Sequence, residues 1–182
     1  MNGFLIFILA VLIGSYILDQ VVRFLNLKSL IPRLPQEFVG YYDGEKYAKS
    51  QEYSREGSRF SFITETFDVI LIVAFIFFGG FNWVDTVVRG LGWGPIPTGL
   101  LFIGVLTFGS QILQLPFSLY RTFVIEEKFG FNRTTAKTFV MDLLKGLMLT
   151  VIIGGAVMTL ILWFFGEMGE LAWLYVWIAL TI

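Results

Sequence analysis

The stretch GLMLTVIIGGAVMTLILWFFG, residues 146–166, runs without a charge between Lys145 and Glu167. Its 21 residues would span roughly 32 Å as a helix at 1.5 Å per residue, matching a bilayer hydrocarbon core of about 30 Å. Hydrocarbon offers no hydrogen bonds to a backbone, so a segment this apolar must satisfy its own N–H and C=O groups as a helix. The rest of the chain agrees: 56% of residues are hydrophobic and 20 are phenylalanine, with a mean hydropathy of +0.76, beyond what a water-soluble core of this length needs. The expected fold is all-α, a polytopic membrane helical bundle of about five transmembrane helices.

Three further apolar runs precede this span. Met1–Leu18 is uncharged and ends at Asp19; it extends helically to Val22 if Asp19 reaches toward the interface. Its first basic residue, Arg23, lies beyond the apolar run, which favours a retained anchor over a cleaved signal peptide. Val69–Val84 forms the second run, its span beginning near Ile63. The third lies within the 31 uncharged residues between Arg89 and Arg121. There Pro95 and Pro97 read as a loop, Thr98–Tyr120 as a helix, and Pro116 as a kink. The last run, Leu171–Ile182, has 12 residues, too few to cross a bilayer, so it reads as a fifth helix cut short.

Basic residues orient the bundle. Seven lie between Asp19 and Phe62, one between Gly79 and Gly99, and five between Arg121 and Lys145. Loops rich in Lys and Arg stay on the cytoplasmic side, which puts the amino terminus outside or in the lumen, with Trp173, Tyr175 and Trp177 in the outer aromatic belt. The sequon Asn132-Arg133-Thr134 then falls on the inner side and reads as a chance match. The lipid bilayer is the first partner; nothing suggests a nucleic-acid partner.

The polar stretch DGEKYAKSQEYSREGSR, residues 43–59, alternates charge sign and runs without a proline into the second span, predicting one long helix from Asp43 to Phe78. Ser50, Ser54 and Ser58 recur every four residues, a small-residue face that lets a neighbouring helix approach closely. Glu65 and Asp68, three apart, share a face near the membrane boundary; Arg121, Arg133 or Lys137 are the expected partners. In the third loop Gly130 suits a helix C-cap and Asn132 the N-cap of the following helix. Glu126, Glu127, Lys128, Arg133 and Lys137 are more charge than a short connector needs, which suggests a surface that holds another domain. Asp142 and Lys145 are spaced to pair with each other.

The chain has no histidine and no cysteine. A Ser-His-Asp triad, an HExxH zinc site, a histidine base and a thiol nucleophile are therefore all excluded within these residues. Neither a phosphate-binding loop nor a dinucleotide fingerprint is present. No catalytic and no metal-ligating residue can be assigned, and no cofactor is expected on this stretch.

Six segments taken together carry a family likeness: LPQEF (34–38), KSQEYSREGSRFS (49–61), TETFD (64–68), GGFNWVD (79–85), LPFSLYRTFVIEEKFGFNRTT (115–135) and DLLKG (142–146). In this order and spacing the chain resembles the amino-terminal membrane domain of the CAAX prenyl protease 1 family of integral-membrane zinc metallopeptidases. The resemblance covers nearly all of residues 1–182 and implies a helical enzyme around a water-filled chamber. Its HExxH zinc site and further glutamate ligand would come from a catalytic domain after residue 182, with prenylated carboxyl-terminal tails or peptides as substrates, in a bacterial inner membrane or the endoplasmic reticulum. On that reading Glu126, Glu127, Asn132 and Arg133 contact the catalytic part, while the Ser50, Ser54 and Ser58 face packs chamber helices. Zinc is then expected in the full-length protein. The competing reading is a standalone small membrane transporter or chaperone-like interaction protein, for which Gln111 and Gln114 would be the intramembrane polar residues of interest.

Overall fold

The structure, a computed structural model, describes residues 3–181. They form helices and connecting turns, with no β-strand among the described residues. Four helical runs are long and apolar enough to cross a bilayer: Gly3–Ser29, Gly44–Phe77, Pro95–Phe129 and Ala136–Ile178. Large apolar side chains such as Phe4, Ile112, Ile152 and Leu160 lie exposed along them, as lipid-facing surfaces require. The chain divides into two compact units, residues 1–80 with 114–133, and residues 81–113 with 134–182.

In the first unit, α1 (Gly3–Ser29) continues well past Asp19. It ends where the Ser29 hydroxyl donates to the Asn26 carbonyl at 2.8 Å, shortly before Pro32 and Pro35, which cannot extend a helix. The long helix α2 (Gly44–Phe77) matches its expected bounds. Asp43 is its N-cap, the carboxylate accepting from the Glu45 amide at 2.9 Å and the Lys46 amide at 3.3 Å, so two otherwise orphaned donors are satisfied. Two glycines stop it. Gly79 adopts a left-handed φ of 69°, and a Cβ on Gly80 would lie 2.5 Å from the Phe75 ring.

Both expected boundary carboxylates on α2 are partnered, though by other residues than the third-loop cations. Glu65 accepts from Gln20 at 2.9 Å and pairs with Arg23, both on α1. Asp68 accepts from the Gln114 side chain on α4 (Pro95–Tyr120). Three residues along a helix leave two side chains about 60° apart in azimuth, enough for each to meet a different neighbouring helix. Tyr16 and Thr66 add a hydroxyl–hydroxyl contact of 2.7 Å between α1 and α2, and Arg55 donates to the Leu30 carbonyl at 3.1 Å. On the α4 side, Phe117 packs against Phe67 at 5.0 Å between ring centroids, and Phe60 stacks on Tyr120 at 5.1 Å. Helix α2 is thus clasped by α1 on one face and by the end of α4 on another.

Pro116 lies inside α4, and the irregularity comes five residues later as a π-helical turn, Arg121–Glu126, leading into the short α5 (Glu127–Phe129). Helix α4 also begins at Pro95, earlier than its prolines suggest: Pro fits the first turn of a helix, where its missing N–H has no intrahelical partner anyway.

In the second unit, α3 (Gly80–Arg89) buries Val84 and Val88, one turn apart. An adjacent face carries an Asp85–Arg89 pair at 2.7 Å, and the carboxylate raises the Arg89 pKa above its ordinary value. Helix α6 (Ala136–Leu149) passes through a second π-helical turn, Thr150–Gly154, into α7 (Gly155–Met168). Asp142 and Lys145 pair at 3.8 Å as expected. Gly99 on α4 faces Leu162 on α7 so closely that a Cβ would lie 2.8 Å from the leucine. Between the two helices a cavity of 640 Å³ is lined by residues including Leu100, Gly104, Phe108, Thr150, Gly154 and Thr159. Gly169, at φ 56°, ends α7, and after a single 3-10 turn α8 (Ala172–Thr181) begins with Ala172 buried. Ile182, at the end of the expected fifth helix, lies outside the described residues.

Candidate functional site

Of the charged residues singled out in the third loop, Glu126, Glu127 and Lys128 lie at one helical corner. The π-helical turn at Arg121–Glu126 brings Glu126 round to α2, where its carboxylate accepts from the Tyr53 hydroxyl at 2.7 Å. Arg121 approaches the same carboxylate at 3.9 Å. Gly130 closes the corner as a left-handed C-cap with φ 75°. Beyond it the chain folds back so that the amides of Phe131 and Asn132 both donate to the Glu126 carbonyl, at 2.9 and 3.2 Å. Glu126 therefore holds the turn through its backbone and α2 through its side chain.

Aromatic packing reinforces that joint. The Tyr53 ring sits edge-on to Phe129 at 5.3 Å and to Phe131 at 4.9 Å, the arrangement that aromatic quadrupoles favour. Phe129 and Ile125 are buried beneath it. One turn along α2, Glu56 accepts from Lys128 at 2.7 Å. Tyr53 and Glu56 carry these contacts, Phe60 further along the same face meets Tyr120, and none of the three was given a role from sequence. Their i, i+3, i+7 spacing is the signal that marks a packed helical face.

Of the four candidate contact residues, Glu126, Glu127 and Asn132 are brought together. The Asn132 side-chain amide donates to Glu127 at 2.9 Å, so Asn132 braces the preceding helix and does not cap the next one. The N-cap is Thr135, whose hydroxyl accepts from the Thr138 amide at 3.2 Å. Thr135 directly precedes α6, whereas Asn132 is already committed backward to Glu127. Arg133 is exposed and has no ion pair among the described residues. Ser50 and Ser54 are exposed on α2 and Ser58 is half-buried. The Ser50 hydroxyl donates to its own helix at Tyr47, 2.8 Å away, leaving the serine face available to a neighbour. Gln114 is occupied by Asp68, and Gln111 is exposed on the surface of α4.

Among the described residues no side-chain set fits a catalytic zinc. The chain has no histidine or cysteine, and no group of three or more carboxylates converges among the described residues. The geometry at the corner is that of a structural joint with an exposed charged rim: Glu126 and Glu127 hydrogen-bonded by Tyr53 and Asn132, Glu56 paired with Lys128, and at Arg133 a guanidinium with no ion pair among the described residues.

Comparison with known proteins assigns the chain. The family described as CAAX prenyl protease N-terminal, five membrane helices, matches residues 23–182. A CAAX prenyl protease 1 homolog of Arabidopsis thaliana is 36% identical over 175 residues, 91% of this chain and 41% of that protein. A probable CAAX prenyl protease 1 of Schizosaccharomyces pombe is 35% identical over 161 residues, 78% of this chain and 34% of that protein. The crystal structure of S. mikatae Ste24p aligns with a TM-score of 0.88 at 28% identity, covering 100% of this chain and 44% of that one. The chain thus spans less than half the length of these relatives. With its long apolar helices, its α2-centred packing and a match over nearly its whole length, this chain belongs to the family of CAAX prenyl protease amino-terminal membrane domains.

Proposed function

We propose that this chain is the membrane scaffold of a CAAX prenyl protease-like zinc metalloendopeptidase whose full-length form cleaves prenylated carboxyl-terminal tails or membrane-associated peptides. The observation that carries the reading is the family match over residues 23–182. On this reading hydrolysis belongs to the part of the relatives' length that this chain does not span, and the task of residues 1–182 is to fix the geometry of the bilayer housing. Glu126, Glu127, Asn132 and Arg133 form the rim on which that part docks, and the Ser50, Ser54 and Ser58 face packs a chamber helix. The amino terminus faces the outside or the lumen, and the host membrane is the endoplasmic reticulum or a bacterial inner membrane.

The test compares the full-length gene product with residues 1–182 expressed alone. The full-length protein should hold zinc and cleave a prenylated CAAX peptide in a chelator-sensitive manner, whereas residues 1–182 should do neither. A natural product ending at Ile182 that cleaves such a peptide, or stoichiometric zinc on residues 1–182, would overturn the proposal.

A further inference from the structure

A groove of 420 Å³ opens between α2 and the end of α4, lined by Glu56, Arg59, Phe60, Ile63, Pro116, Phe117, Tyr120 and Ile125. Its volume falls within the range of ligand pockets, about 300–1,000 Å³, and most of its lining is apolar. Two features place it at a membrane boundary. Arg59 is the last basic residue on α2, the two carboxylates beyond it being held by Gln20 and Arg23 (Glu65) and by Gln114 (Asp68), and Arg121 is the first charge after the 31 uncharged residues that contain α4. The stack of Phe60 on Tyr120 puts these two transitions at one level.

Charge decides what the groove suits. Arg59 is exposed and has no hydrogen bond or ion pair among the described residues. The one carboxylate in the lining, Glu56, is already paired with Lys128 at 2.7 Å, so it leaves the Arg59 charge uncompensated. An unpaired guanidinium above an apolar slot complements an amphiphile with a negative head and a hydrocarbon tail, and guanidinium is well shaped for phosphate. The flanking loops, with seven and five of the 13 basic residues, would gather anionic lipid at the same surface.

We propose that this groove is a binding site for one anionic phospholipid of the bilayer, its phosphate on Arg59 and the start of an acyl chain against Ile63, Pro116 and Phe117. The site is independent of whether the protein cuts peptides. It ties lipid composition to the α2–α4 contact, because the chain lies against Phe117, which also packs on Phe60 and Phe67.

Native mass spectrometry of the full-length protein, released from detergent with dioleoyl-phosphatidylserine or dioleoyl-phosphatidylcholine, tests the site. Wild-type protein should retain one phosphatidylserine more tightly than phosphatidylcholine, and Arg59→Gln should weaken phosphatidylserine retention about five-fold, the effect of one basic residue at an anionic surface, leaving phosphatidylcholine unchanged. Arg33→Gln, which removes the same charge elsewhere, should have no effect, and millimolar inorganic phosphate should not compete. Equal retention in wild type and Arg59→Gln overturns the proposal, as does an equal loss in Arg33→Gln. Competition by inorganic phosphate overturns it in favour of a free-anion site. Arg59 has no partner to lose, so unchanged circular dichroism is expected and keeps the comparison interpretable.

Discussion

Replacing Tyr53 by Phe removes one atom from the joint between α2 and the third-loop corner, and its cost can be worked out from the geometry. The ring keeps its edge-on contacts with Phe129 and Phe131, so only the hydroxyl bond to Glu126 at 2.7 Å is lost. A hydrogen bond to a charged acceptor contributes about 1.5–3 kcal/mol when buried. The Glu126 side chain is 24% exposed, and water can partly replace the hydroxyl, which brings the expected loss to about 1–2 kcal/mol. Tyr53→Ala also forfeits two aromatic contacts and the ring's burial, for a loss of about 3–5 kcal/mol. A double-mutant cycle of Tyr53→Phe with Glu126→Gln, read by unfolding of the full-length protein in bicelles, should give a coupling of about 1 kcal/mol. A coupling within about 0.3 kcal/mol of zero would refute the claim that this bond fastens the corner to α2.

Three further outcomes are expected. Arg23→Met leaves the Glu65 carboxylate with only Gln20; since the two side chains are 25% and 36% exposed, stability should fall by about 1–3 kcal/mol, and Glu65→Leu in the same protein should recover part of it. A thermal melt showing no recovery would contradict the pairing. Gly80→Ala should destabilise more than Gly14→Ala, because its Cβ meets the Phe75 ring at 2.5 Å whereas nothing lies within 4 Å at Gly14; equal melting temperatures would count against the close approach. Arg133→Glu in the full-length protein should leave the fold of this region intact yet reduce cleavage and co-purification of a separately expressed catalytic domain, and unaltered activity and assembly would remove Arg133 from the docking rim.

Much of this architecture was legible because membrane helices announce themselves through hydrocarbon-length apolar runs. Helix α2 was readable to within a residue at each end: Asp43 is a good N-cap, the charge pattern suits a helix, and Gly79 and Gly80 close it. Partner choice was less legible. Glu65 and Asp68 visibly needed partners, yet which helix supplies them depends on packing, and the third-loop cations were the wrong guess because α1 and α4 lie against α2. The N-cap at Thr135 was missed in favour of Asn132, as both residue types cap well and only the backbone conformation selects one. Neither π-helical turn has a sequence signature in this chain. The role of Tyr53 was hidden for that reason, since its partner Glu126 reaches it from one of those turns.

The wide turn at Arg121–Glu126 also absorbs a phase. A π turn accommodates one residue more than the regular helix would over the same rise, so deleting a single residue there lets the ladder relax to ordinary α geometry with the later side chains nearly in place. The same deletion in the regular part of α4 would swing every later side chain by about 100° around the axis. Lys128 and Phe129 would then leave α2 together, while the apolar length of the span would barely change. One surplus residue is harmless to this contact only where the helix is already wide.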